Sequence, residues 1–141
     1  MVFVLAFAGA QVVRPVRTNP SAPRSASLVA SAPQAVSAIL VRSCRDCHSN
    51  DTRWPWYSSV APMSWMVISH VNDGRDAFNY SEWASYNADD QDKLLGSICS
   101  LTKRGRMPLP SYIVIHRDAK LSEAAITTLC TWSEKMRDTL Q

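Results

Sequence analysis

The sequence predicts an all-α domain, and three observations predict it. Apolar residues recur at helical spacing in several stretches, such as Val36, Ile39 and Leu40, or Trp65, Ile68 and Val71. No stretch alternates apolar and polar residues as a strand does, and the β-rich run from Tyr112 to Ile115 is too short to make a sheet. One pentapeptide, Cys44-Arg45-Asp46-Cys47-His48, is a C-x-x-C-H, the pattern of covalent c-type haem attachment, which small helical domains carry.

The physical sense of that pattern lies in its spacing. Two thiols three residues apart face the same way on a helical turn, and His48 lies four residues beyond the first on nearly the same face. Cys44 and Cys47 can then form thioethers to the two vinyl groups of one porphyrin, with His48 bound to its iron. A zinc site would need two further ligands from Cys99, Cys130, His48, His70 and His116, and no second close pair exists. A thiol-redox pair would need a βαβ context, which is missing. The expected fold is therefore a small cytochrome c-like helical domain around one covalent haem c.

The elements follow in order. Residues 1–13 are apolar except Gln11, too short for a membrane span of about 20 residues. They suit the core of an export signal, with Ala8-Gly9-Ala10 as a small-residue cleavage pattern, or a truncated membrane anchor. Either reading places the domain in the periplasm or another extracytoplasmic space, tethered to the inner membrane in the second case. Residues 14–33 contain Pro15, Pro20, Pro23 and Pro33 among many Ser and Ala, the composition of an extended linker, with an ordered strap along the domain surface as the alternative that their low hydrophobicity disfavours. The haem-binding domain is expected over residues 34–141.

Within it, Gln34–Ser43 reads as a helix carrying the motif at its C-terminal end, stopped by Asn50 and Asp51. Trp54, Trp56 and Tyr57 follow in a proline-broken stretch, and their nearness to His48 makes them candidates for walls of the haem pocket. A helix over Met63–Asp73 should stop at Asp73-Gly74, with Gly74 as a left-handed cap. Asp76–Trp83 turns into another helix with Ser81 as N-cap. Tyr86–Thr102 is amphipathic, with acids at its start, Lys103 and Arg104 at its end, and Gly105 closing it. Arg106–Tyr112 holds Met107 on a backbone kept extended by Pro108 and Pro110. Ser122 caps a last helix reaching about Arg137.

Met107 is the favoured sixth ligand to the iron, because a thioether on a stiff loop is held in one place. His70 is the alternative, and Met63, Met66 and His116 rank below it. Cys99 and Cys130 are either a disulfide or two small buried core residues, with the general burial of free cysteine favouring the latter.

The net charge of +3 is uneven. Residues 1–43 carry four Arg and no acid, while residues 44–141 carry eleven basic and twelve acidic side chains. That near-neutral balance gives no sign of a strongly charge-steered partner. No basic stripe interleaves with aromatics, so nucleic acid is not an expected partner.

At this point the residues carry a family resemblance. CRDCHSN, TRWPWYS, VAPMSWMVISHVNDGRDAFNYSEW, GRMPLPSYIVIHRDAKLS and the closing Thr131-Trp132 resemble the bacterial haem-binding domain family, small c-type cytochrome-like modules that are exported or membrane-tethered. Arg14-Pro15 with Thr18-Asn19-Pro20 belongs to the same pattern, and the likeness covers most of residues 14–132. It implies that Cys44 and Cys47 hold haem covalently, that His48 is the proximal ligand and that Met107 is the distal one. The apolar start departs from the family in being short and lacking leading charges.

With both axial positions filled, the coordination logic favours electron transfer to an unidentified redox partner over catalysis. A redox or gas sensor in which Met107 gives way to a ligand, or an accessory domain of a peroxidase-type enzyme, are the alternatives.

Overall fold

The computed structural model describes residues 1–140, and among them there are eight α-helices and no strand. They are α1 (Val2–Ala10), α2 (Leu28–Ser31), α3 (Gln34–Ser43), α4 (Arg45–His48), α5 (Met63–Ala77), α6 (Ala88–Lys103), α7 (Pro110–Ile115) and α8 (Glu123–Asp138).

The long pair α6 and α8 is the frame. Asn87 caps α6 by accepting from the Asp90 N–H, and Ser122 caps α8 by accepting from the Ala125 N–H. Both helices start on acids and end on bases, as the macrodipole favours. They lie side by side, joined by a disulfide between Cys99 and Cys130 with Cα atoms 4.7 Å apart. The thiols expected to be free are thus bonded. Nearby, Arg137 forks onto Asp92 with contacts of 2.8 and 3.1 Å. The core is closed against this pair by Leu28, by Val36, Ile39 and Leu40 of α3, and by Phe78, Tyr80 and Trp83.

Residues 14–33 form an ordered strap, which corrects the extended linker expected from their composition. Arg17 donates to the Ser58 and Ser59 hydroxyls, and the Asn19 amide exchanges hydrogen bonds with the Thr52 backbone. Arg75 fastens the strap from beneath, donating to the Thr18 carbonyl and the Asn19 side chain while its Nε holds the Ser49 carbonyl. Leu28 is 0% exposed and belongs to the core, so the packed domain begins before residue 34. Composition missed this because polar side chains, rather than apolar burial, hold most of the strap.

α1 is apolar all round and has no buried residue. Its lower end is docked: Gln11 both donates to the Ala61 carbonyl and accepts from the Ala61 N–H, and the Trp65 indole donates to the Val13 carbonyl. Among the described residues no helix is long and apolar enough to cross a membrane.

Three local expectations are corrected. α5 does not stop at Asp73-Gly74 but runs on to Ala77. Residues Tyr80–Ser85 form a 3-10 turn capped by Asn79 rather than a helix capped by Ser81, whose hydroxyl instead accepts from the Asn50 N–H. Pro110 starts α7 at its first turn, where a missing N–H costs nothing, so the extended stretch ends at Leu109. Gly105, at φ +63°, does close α6 in the left-handed region.

Candidate cofactor site

The C-x-x-C-H does not continue α3. At Cys44 the backbone leaves helical geometry (φ −122°, ψ −25°), and α4 is a separate turn carrying Cys47 and His48. α5 lies directly on this turn. A β-carbon built on Gly74 would stand 2.6 Å from the Cys47 carbonyl oxygen and 3.0 Å from its β-carbon. Only glycine permits that approach, which is the function of the residue read from sequence as a helix stop.

Beside the turn is a cavity of about 480 Å³, within the range that small-molecule and cofactor pockets occupy. Cys44, Cys47, His48 and Met107 all line it. So does His70, the alternative ligand. Most of the remaining wall is apolar, supplied by Phe78, by Leu94, Ile98 and Leu101 of α6, and by Pro108 and Leu109.

His48 is oriented by its backbone neighbour. Its Nδ1 lies 3.0 Å from the Phe78 carbonyl oxygen, which can only accept, so the ring donates there and Nε2 keeps its lone pair. This is the arrangement of a ligating imidazole with its second nitrogen tied down. Burial also lowers the His48 pKa, favouring the neutral ring that binds metal.

Both thiols are held neutral. Burial, with the neighbouring Cys47, pushes Cys44 up to about 12, and burial with the Asp46 charge pushes Cys47 up to about 11. Redox-active cysteines need the opposite shift, which counts against the thiol-redox reading. Among the described residues, no three His, Cys, Asp or Glu side chains cluster as a metal site.

A second, smaller cavity of about 60 Å³ adjoins the first across Cys47, His70 and Tyr112. Its wall is mostly apolar, from residues such as Met63, Val67 and Val71, but one side carries a chain of polar contacts. Tyr112 donates to Asp46 Oδ2 at 2.8 Å, stacks on the His116 ring at 4.2 Å between centroids, and His116 Nε2 meets the Tyr57 hydroxyl at 2.6 Å. Burial first, and then the bond to Asp46, raise the Tyr112 pKa, so the phenol stays a donor. These contacts pin α7 to the C-x-x-C-H turn.

The aromatics expected to wall the cofactor stand elsewhere. Tyr57 lines only the small cavity, Trp56 is 79% exposed, and Trp54 lines neither cavity. Two prolines carry that stretch away from the motif it follows. The true wall residues had a visible signal in part, since Leu94, Ile98 and Leu101 recur at helical spacing. Sequence spacing cannot tell a helix facing a cavity from one facing a packed core.

The residues present fit a haem. The donor set offers two imidazoles, His48 and His70, and one thioether, Met107, on a common apolar cavity that the two thiols also line.

An all-helical domain with an imidazole-bearing apolar cavity of this size defines the class as a haem-binding protein. A family model described as haem-binding domain matches residues 5–135, and the chain belongs to that family. Comparison with curated proteins and with solved structures returned no match.

Proposed function

We propose that the protein is a c-type haem protein that carries single electrons between partners outside the cytoplasm. The observation supporting it is the convergence of Cys44, Cys47, His48 and Met107 on one cavity. A haem iron bound there supplies a one-electron couple. Cys44 and Cys47 would hold the haem through thioethers to its two vinyl groups, a redox-neutral attachment. His48 Nε2 provides the proximal lone pair, and the Phe78 carbonyl holds the ring in place. Met107 provides the distal thioether, which raises the reduction potential relative to a second imidazole. The apolar wall excludes water from the couple, and two protein ligands leave no open position for substrate. This coordination favours carriage over catalysis.

Acid-acetone extraction of denatured holoprotein should leave the haem on the chain, and its release would exclude covalent attachment. The oxidised protein should show the weak long-wavelength band of iron–thioether bonding, lost in Met107→Ala and kept in His70→Ala. A wild type without that band, whose spectrum changes in His70→Ala and not in Met107→Ala, would make His70 the ligand. Rapid carbon monoxide binding to the reduced wild type would replace carriage with gas sensing.

A further inference from the structure

The near balance of charge over residues 44–141 conceals a segregation. Residues 103–120 hold five basic side chains, Lys103, Arg104, Arg106, Arg117 and Lys120, and one acid, Asp118. The rest of that range holds six basic and eleven acidic side chains. All five bases are exposed, and none is in an ion pair among the described residues. Elsewhere the bases Arg45, Arg53, Lys93 and Arg137 are each paired with an aspartate.

The unpaired bases bracket the segment that walls the cofactor cavity. Lys103, Arg104 and Arg106 lead into Met107, Pro108 and Leu109, which line it, and Arg117 and Lys120 follow α7. α7 turns Tyr112 inward, while Val114 and Ile115 are 72% and 57% exposed. The segment thus offers apolar side chains with a cationic surround, one helix thick above the cavity. The acids nearest the cavity are engaged elsewhere: Asp46 binds Tyr112 and Arg53, and Asp73 accepts from Ser69.

We propose that this face, residues 103–120, is the docking surface for a redox protein with an acidic rim around an apolar contact. The proposal rests on the electron-carrier reading. Lys103 and Arg104 also serve the C-terminal end of α6, where Arg104 donates to Ser100, but Arg106, Arg117 and Lys120 have no such role, and unpaired like charge on an exposed surface draws an oppositely charged partner and orients it. An orientation that places the partner over α7 puts it against a helix whose Tyr112 lines the cavity. A lipid surface is less suited, because α1, the apolar element, is docked instead at Ala61 and Trp65.

The test uses holoprotein on gold electrodes carrying carboxylate-terminated or ammonium-terminated monolayers, with adsorbed mass read by quartz microbalance beside the haem current. Wild type should adsorb and exchange electrons on carboxylate and not on ammonium. Arg106→Glu with Arg117→Glu should cut both signals on carboxylate by about ten-fold. Lys93→Glu with Lys135→Glu, an equal charge change elsewhere, should keep them. Arg106→Gln with Arg117→Gln serves if the reversal fails to load haem. Equal losses from both pairs, or preference for ammonium, would overturn the docking face. So would equal or stronger binding to phosphatidylglycerol vesicles abolished by the same substitutions, which assigns it to lipid. Adsorption on the predicted surface without any haem current, even with diffusing mediators, upholds the face as a binding surface and sinks the carrier reading instead.

Discussion

Gly74 illustrates how much one side chain decides at this site. Alanine in an exposed helix is favoured over glycine by about 1 kcal/mol. Here its methyl would meet a backbone oxygen that cannot rotate away, and overpacking costs about 1–3 kcal/mol. Gly74→Ala should therefore destabilise the protein despite the better helix former, seen as a lower urea midpoint and a lower haem content per chain. The thiols make a second residue-level prediction. With their pKa values raised from 9.0 to about 12 and 11, few thiolates exist in the folded apoprotein at pH 8. Iodoacetamide should alkylate Cys44 and Cys47 roughly 100-fold more slowly than in the urea-unfolded chain. Equal rates would mean the turn is open without its cofactor. The motif itself was readable from five letters, and the place of Met107 on the cavity from the two prolines, Pro108 and Pro110, that follow it. The Phe78 carbonyl was not, because a backbone acceptor thirty residues away has no sequence signature.

At the scale of elements, the disulfide ties the α6 wall of the cavity to α8. It closes a loop across a separation of 31 residues, which on the chain-entropy account contributes about 3–4 kcal/mol. Cys99→Ser with Cys130→Ser should lower unfolding free energy by about that amount, and a loss under 1 kcal/mol would show that α6 and α8 pack independently of it. The longer helices α3, α5, α6 and α8 were legible because apolar period and terminal charges agree, with Ser122 capping α8 as read, whereas the Asn87 cap of α6 was not singled out. Helix ends near the cavity were less so. Gly74 carries the usual mark of a stop, yet α5 continues because the contact with Cys47 requires a helix there. Pro110 reads as a breaker but opens α7.

Across the whole molecule, the strap shows how a low-complexity stretch becomes part of a domain. Arg75 gathers Ser49, Thr18, Asn19 and Thr52 with one guanidinium, joining the strap to the residues just past the haem motif. Arg75→Ala should free it, so limited trypsin should cut after Arg17 and Arg24 faster than in wild type, with the core fragment surviving. Unchanged cleavage would mean that Arg17 and Leu28 suffice to hold it. Fold class was legible from the sequence, whereas the domain's N-terminal boundary was not, because Leu28 is a lone apolar anchor in a polar run.

The paired hydrogen bonds between Gln11 and Ala61, with Trp65 on Val13, have a consequence for direction. A helix on a loose chain would let its domain swivel, and distance alone would govern encounters. Held at three points, α1 and the body turn together. A surface that took up α1 would therefore also set the heading of the cavity.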